Sequence, residues 1–283
     1  MGNCVYCGKS AGLFHTKHIE CEQEYLQRQR ILLECRPKAI RDIISSIKAG
    51  ESLDLLEGKI TAIEKRLSLN PLERKSLLQE SWEESVEQFL EDGVLDTAEE
   101  KHLAAFKDHF ALSQEDLDHN GAFTKTAKAA VLRDILNGII PKRVSMKASV
   151  SINFQKDEQV VWAFSDSKYL EDIKKRHYEG GSQGASIRVM KGVYYRVGAF
   201  KSFPVDTVER VQVDEGWVVV TTRNIYFAGP QQSLRIPYGK IVSFLPFSDG
   251  IGLIRDTATS KLQIFVTGDG WFSYNVVTNL ARM

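Results

Sequence analysis

Four residues near the start of the chain have the types and the spacing of a metal site. Cys4 and Cys7 are separated by two residues, and after ten further residues His18 and Cys21 repeat that separation. Two ligand pairs of this kind satisfy a tetrahedral structural zinc ion, with the first pair on a tight turn and the second on the first turn of a helix. The sequence therefore predicts Zn²⁺ bound by Cys4, Cys7, His18 and Cys21.

His15 competes with His18 for the fourth position, because either histidine completes a set of three sulfurs and one imidazole. We favour His18, since residues three apart share one face of a helix. Both sets saturate the ion and leave no position for a water molecule, so we expect a structural rather than a catalytic metal. A turn followed by the start of a helix resembles the treble-clef zinc finger.

Four basic residues near these ligands could bind the phosphates of a nucleic acid. They are Lys9, Lys17, Arg28 and Arg30. If RNA were cleaved there, His15 could act as general acid or base and Lys17 could stabilise the charged transition state. A solvated helix face is the other interpretation of the same residues, and we favour it.

The cysteines also indicate the compartment. All four, at positions 4, 7, 21 and 35, lie in the first eighth of a 283-residue chain. No apolar signal-peptide core follows the start and no run approaches the roughly 18 apolar residues of a membrane-spanning helix, so we expect a cytoplasmic protein with reduced thiols. Cys35 is expected to pack as a small apolar residue.

The overall charge excludes binding to polyanions by bulk charge alone, because 37 basic residues balance 37 acidic ones. The balance is uneven along the chain: residues 1–36, 37–142 and 143–283 have net charges of +1, −6 and +5. Different partners for the middle and the end, or contact between them, would both fit this asymmetry.

The sequence divides into three predicted parts that together give an α+β multidomain fold. Residues 1–36 form a zinc finger whose helix ends at Arg36-Pro37. Residues 37–142 form an acidic helical bundle, in which Gly50 and Gly58 end helices and Asn70-Pro71 begins another. Residues 143–283 are β-rich, with short strands at 150–154, 186–189, 193–197, 217–222, 225–227, 234–236, 241–244, 251–254 and 262–266, one helix at 168–177 and a C-terminal amphipathic helix.

Two acidic segments of the bundle raise the possibility of a bound cation. Asp116 to Gly121 matches the first half of a calcium loop, but Ala127 occupies the position of the closing glutamate. We therefore interpret this segment as a helix cap at Ser113 followed by a turn. The other segment, around Asp96 and Glu99, is better explained as a capped helix start than as a cation or partner site.

The bundle resembles the TerB-like helical domains of bacterial tellurite resistance. The residues that carry the resemblance are 92–100, Leu103, Phe106 and 132–138. Members of that family are associated with metal binding and stress-response scaffolds. The resemblance assigns such a role to Asp92, Asp96 and Glu99.

The C-terminal part resembles bacterial pleckstrin-homology-like (PH-like) and GRAM-like domains over about 208–283. The resemblance rests on 217–227, with its T-x-x-R-x-Y-F-like strand, on 233–241 and on 249–253. Such domains are usually binding modules for proteins, peptides or lipids. The basic residues that a lipid headgroup would need are scattered, at Arg223, Arg235, Lys240 and Arg255, so protein binding or self-assembly is favoured over a membrane.

The arrangement of finger, bundle and module is similar in outline to ring-activated zinc-finger ribonucleases of phage defence. It implies a sensor-effector that binds a trigger protein, for instance a phage protein, or assembles as a homo-oligomer, and whose finger then acts on RNA. Assembly would join many weak finger sites into a strong one. The alternative is a non-catalytic adaptor with a structural finger, whose PH-like module docks on a protein or a membrane lipid. It is supported by the sequence, which has no nucleophile elbow, nucleotide fingerprint or open metal motif.

Overall fold

The computed structural model describes residues 2–12, 15–91, 94–144, 152–190, 193–257 and 261–283, with the backbone alone at 173–190 and 193–208. It has two compact units, Met1–Arg133 and Asp134–Met283. The first is helical apart from one small hairpin and the second is built on a sheet, so the α+β class is confirmed. Among the described helices, none has both the length and the apolar character needed to cross a membrane.

The first unit begins with a short antiparallel hairpin, β1 (Gly2–Asn3) and β2 (Ser10–Gly12), followed by helix α1 (Ile19–Lys48). The predicted end of this helix at Arg36-Pro37 is wrong, because α1 continues through Pro37. Proline removes one hydrogen bond, but Ala39, Ile40 and the residues that follow are buried in the bundle and hold the second half of the helix in place.

Five further helices complete the unit: α2 (Leu53–Leu67), α3 (Pro71–Phe89), α4 (Thr97–His109), α5 (Gln114–Leu117) and α6 (Ala122–Leu136). Gly50 has a φ of +61° and follows the end of α1, as predicted. Gly58, however, lies inside α2, so the predicted break there is wrong. The apolar residues Leu56, Ile60 and Ile63 around it are buried on one face, and their packing outweighs the roughly 1 kcal/mol that an interior glycine costs.

The helix starts are confirmed where the sequence predicted caps. Asn70 and Glu73 form a reciprocal capping box at α3, and Asp96 and Glu99 form one at α4. Ser113 caps α5 by accepting a hydrogen bond from the backbone N–H of Asp116. Each cap satisfies backbone donors that the first turn of a helix leaves unpaired.

Polar contacts join α1 to α3 along their length. The guanidinium of Arg28 lies 2.5 Å from the carboxylate of Glu73, and the guanidinium of Arg36 lies 2.8 Å from that of Glu80. Because residue numbers rise together in the two pairs, α1 and α3 run parallel, as alternate helices of an up-down-up bundle do. The contact of Arg28 connects the first half of α1, which has little apolar core, to the bundle.

The second unit contains a seven-stranded antiparallel sheet in the order β6-β5-β4-β3-β9-β8-β7. Its strands are β3 (Val160–Met190), β4 (Val193–Thr221), β5 (Asn224–Ala228), β6 (Ser233–Pro237), β7 (Ile241–Pro246), β8 (Gly250–Arg255) and β9 (Leu262–Val266). A short 3₁₀ turn, Tyr238–Lys240, joins β6 to β7. Every predicted strand from 186 onward lies within one of these strands or extends one residue beyond it. The strand predicted at 150–154 lies partly outside the described residues, and 152–154 are not in a strand.

The helix predicted at 168–177 is wrong, because these residues belong to β3. Strand β3 pairs with β4 on one side, and its residues 168–171 pair with β9 on the other. Tyr169 is fully buried and its ring stacks on Phe265 of β9, with ring centroids 5.1 Å apart. Hydrogen bonds on both edges and this ring contact override the helical preference of the lysines and arginine nearby.

The predicted C-terminal helix is confirmed as α7 (Gly270–Leu280), which Asp269 caps by accepting from the backbone N–H of Phe272. Phe272, Val276 and Val277 are buried. The ring of Phe272 contacts Trp162 of β3 at a centroid distance of 5.0 Å. The helix therefore closes one side of the core of the second unit.

Candidate metal centre

The structure brings together the four predicted ligands of the N-terminal segment. One ligand atom from each of Cys4, Cys7, His18 and Cys21 lies within 4.8 Å of the others. His18 Nδ1 is 3.4 Å from Cys7 Sγ and 3.6 Å from Cys21 Sγ. Zinc–sulfur and zinc–nitrogen bonds of their usual lengths, arranged as a tetrahedron, separate sulfur from nitrogen by about 3.6 Å. The cluster therefore has the dimensions of a tetrahedral metal site and could bind an ion such as zinc.

The imidazole of His18 is oriented by a backbone carbonyl. Its Nε2 lies 3.0 Å from the carbonyl oxygen of Ser10, while its Nδ1 faces the sulfurs. A hydrogen bond from Nε2–H to this carbonyl places the proton on Nε2 and leaves the Nδ1 lone pair directed at the cluster. Ser10 lies on β2, so the small hairpin holds the histidine in a ligating orientation. The sequence could not reveal this contact, because any residue at position 10 supplies the same carbonyl.

The first ligand pair lies on a tight turn, as predicted. The backbone N–H of Gly8 donates to the carbonyl of Cys4 at 2.8 Å, and the N–H of Cys4 donates to the carbonyl of Lys9 at 2.7 Å. Gly8 has a φ of +72°, a left-handed conformation that glycine adopts without strain. His18 is the residue that precedes α1 and Cys21 lies one turn further on. The turn and the helix start thus point both ligand pairs at one centre.

The environment favours a thiolate at Cys4 and opposes one at Cys21. Burial raises the pKa of Cys4, but hydrogen bonds from the backbone of His18, Cys7 and Tyr6 outweigh it and lower the pKa to about 6. Burial and the neighbouring thiols raise the pKa of Cys21 to about 11. Several thiolates at this separation repel one another, and a cation between them removes that repulsion.

His15, the competing ligand, lies outside the cluster. It is exposed, whereas His18 is half-buried and in contact with the sulfurs. Cys35 is half-buried against the bundle core, as predicted for a cysteine that packs as an apolar residue.

The predicted nucleic-acid residues do not share one free surface. Lys17 forms an ion pair with Glu22, which raises the pKa of the lysine. Arg28 is committed to Glu73, and its guanidinium also donates to the carbonyl of Ser68 at 3.2 Å. Lys9 and Arg30 are exposed. The sequence could not show the pair of Arg28, since Glu73 follows it by 45 residues.

Two exposed aromatic residues lie beside the cluster. The rings of Tyr6, on the metal turn, and Tyr25, on α1, have centroids 5.0 Å apart and remain 39% and 43% exposed. Sequence reasoning did not predict this contact, because nothing in the spacing of the two tyrosines relates the turn to the second turn of the helix.

The acidic segments of the bundle are occupied by internal contacts. Asp96 caps α4, and Arg133 donates to the carbonyl of Leu95, the carbonyl of Asp96 and the carboxylate of Glu100. Asp92 lies outside the described residues. In the segment that resembles a calcium loop, Asp116 pairs with Lys75 at 2.8 Å and Asp118 accepts from the backbone and hydroxyl of Thr124. The interpretation as caps and a turn is confirmed, with Gly121 at a φ of +76°.

No protein-family model matches the chain, and neither curated proteins nor solved structures contain a significant match. The likeness to TerB-like domains, to PH-like domains and to phage-defence ribonucleases therefore stays a prediction from the sequence.

Proposed function

We propose that this protein is a zinc-stabilised adaptor whose metal centre is structural. The observation that carries the proposal is the closed ligand set: three thiols and one oriented imidazole converge within 4.8 Å. Four protein ligands fill a tetrahedral zinc ion, so no coordination position remains for an activated water. When bound, the ion would cross-link the turn to the start of α1.

The ion pairs of Lys17, a predicted catalytic residue, and of Arg28, a predicted nucleic-acid residue, support a non-catalytic role. Lys17 is neutralised by Glu22 and Arg28 by Glu73, so neither is poised to stabilise a developing charge. In this proposal the second unit, with its PH-like pattern, supplies the partner contact, and a protein partner is preferred to a lipid. Trp271, at the start of α7, is 69% exposed, and tryptophan is enriched among residues that anchor protein interfaces.

Metal analysis of purified protein tests the zinc proposal. We expect one zinc ion per chain, and we expect Cys21→Ala and His18→Ala to lose it, because three ligands hold the ion far less tightly. The matched controls are Cys35→Ala and His15→Ala, which remove the same side chains from outside the cluster and should keep full zinc content. Zinc retained by Cys21→Ala, or lost from His15→Ala, would contradict the ligand set.

RNA is the second candidate ligand, and the exposed pair of Tyr6 and Tyr25 favours it. Aromatic rings next to a cation bind single-stranded nucleic acid by stacking on bases, and Lys9 on the same turn is exposed. In this form the finger acts on RNA after a trigger, such as a phage protein, assembles the chains, and His15 is the candidate acid or base. The TerB-like and PH-like patterns of the sequence support this effector function, because they resemble domains of stress and phage-defence proteins.

Incubation with total RNA separates the adaptor from the effector. Zinc-loaded protein, dilute and crowded into oligomers, is compared with Tyr6→Ala and His15→Ala. RNA that is degraded by the crowded wild type and spared by His15→Ala would support the effector. If the RNA stays intact under every condition, and the protein shows no RNA binding that depends on Tyr6, the adaptor is the function.

A further inference from the structure

Helix α1 carries an apolar row that its own bundle covers for only half of its length. Ile19, Leu26, Leu33, Ile40 and Ile47 recur at intervals of seven residues, which places them along one face of the helix. Ile40 and Ile47 are buried in the bundle core. Ile19, Leu26 and Leu33 are 74%, 50% and 79% exposed. The uncovered half, from Ile19 to Leu33, is called the seam below.

The seam faces away from the neighbouring residues of α1 that contact the bundle. At 100° per residue, Leu26 points about 160° away from Arg28, which binds Glu73 of α3. Leu33 likewise points about 160° away from Cys35, which packs against the bundle core. The seam is therefore open to an approaching helix without disturbing the contacts between α1 and α3.

The charges around the seam are divided between its two ends. On the face of the seam, within about 40° of Leu26, Glu22 precedes this residue and Arg30 follows it. A second identical helix placed antiparallel brings each acidic end beside a basic end, and a parallel one brings like charges together. Charge complementarity thus favours an antiparallel copy of the same segment.

We propose that the seam is a self-association surface on which a second copy of the chain packs its α1 antiparallel about a two-fold axis at Leu26. In this register Ile19 of each copy lies level with Leu33 of the other, and Glu22 lies level with Arg30 of the other. Apolar residues then meet along the row and opposite charges lie at the same height beside it. The inference goes beyond the proposed function and depends on neither of its two forms.

Size-exclusion chromatography with light scattering on the zinc-loaded full chain tests for the dimer. We expect a concentration-dependent dimer in the wild type, and we expect Leu33→Glu to raise the dissociation constant at least about a hundredfold, because each dimer loses two buried leucines. Leu55→Glu is the matched control, since Leu55 is 55% exposed on α2, away from the seam, and should leave the dimer intact. A wild type that is monomeric at every concentration would overturn the proposal.

Cross-linking tests the direction of the helices. In a Cys35→Ala background, Leu26→Cys should be joined by a short thiol-to-thiol reagent, because the two copies of residue 26 meet at the axis. Leu33→Cys should not be joined, since its two copies lie about 21 Å apart, at 1.5 Å per residue. Cross-linking at both positions would show a parallel pair, and cross-linking at neither would show another interface; either result overturns the proposal. Circular dichroism and zinc content confirm that each variant is folded.

Discussion

The carboxylate of Asp116 is held in its ionised form by two neighbours. Lys75 Nζ lies 2.8 Å from one of its oxygens, and the backbone N–H of Ser113 donates to the other at 3.0 Å. The ammonium contact and then the backbone bond lower the pKa of Asp116 to about 2. The two contacts thus connect the start of α5 to α3.

Asp116→Asn should change the pH dependence of stability. A depressed pKa in the folded state stabilises the fold above the pKa of an unfolded aspartate, about 3.9, and this contribution is lost as the pH falls through about 2. Urea unfolding between pH 5 and pH 2 should therefore show a smaller loss of stability for Asp116→Asn than for the wild type. Asp108→Asn, at a carboxylate that is 71% exposed, should follow the wild type. If the free energy of unfolding fell equally with pH in all three proteins, the ionised carboxylate of Asp116 would not contribute to stability.

At the scale of single residues, the sequence predicted what depends on spacing. The four ligands could be found because a turn and a helical turn impose fixed separations on Cys4, Cys7, His18 and Cys21. The ion pair of Arg28 could not be predicted, because it depends on which distant side chain the fold brings near. For Lys17, by contrast, the nearby acidic residue Glu22 was a usable signal, since it follows five positions later, in the first turn of α1.

At the scale of elements, the sequence predicted that a helix ends at Pro37, whereas in the structure α1 continues through this residue. The proline removes the hydrogen bond that residue 37 would donate to the carbonyl of Leu33, four residues earlier. Burial of the following residues maintains the helix in spite of that loss. A tertiary contact of this kind has no local signature, and the same limitation explains the error at 168–177 in β3.

Pro37→Ala should stabilise the N-terminal unit. Alanine is about 3 kcal/mol more favourable than proline inside a helix. About 1 kcal/mol of this gain is lost, because alanine leaves the unfolded chain with more conformational entropy than proline does. We expect the free energy of unfolding in urea to rise by about 1–2 kcal/mol. Pro71→Ala is the matched control, because Pro71 is the first residue of α3, where proline is favourable. Equal effects of the two substitutions would mean that Pro37 carries no helical strain.

At the scale of the whole molecule, the two units predict two separable responses to metal removal. All four candidate ligands belong to the unit Met1–Arg133, and none belongs to Asp134–Met283. A ligand that binds the folded state alone stabilises the unit that contains its site. The two units should therefore respond differently to a chelator.

Adding a chelator should lower the melting temperature of the first unit by roughly 5 °C or more, while the transition of the second unit stays in place. Differential scanning calorimetry measures both. Cys21→Ala provides the control, since its first transition should already be low and should not respond to the chelator. An equal response from Cys21→Ala would show that the chelator acts elsewhere.

Helix α1 connects the metal cluster to the bundle, and this bears on how the helix forms. Its first half contributes few buried residues, and a helical segment of about 15 residues is marginal in water because the first turn is costly to nucleate. An ion bound by His18 and Cys21 fixes that first turn, and the bundle fixes the other end at Ile40 to Ile47. A metal ion bound there would act as a nucleus for helix propagation, and we expect the seam to be an ordered helical surface only when coordination and bundle packing are both complete.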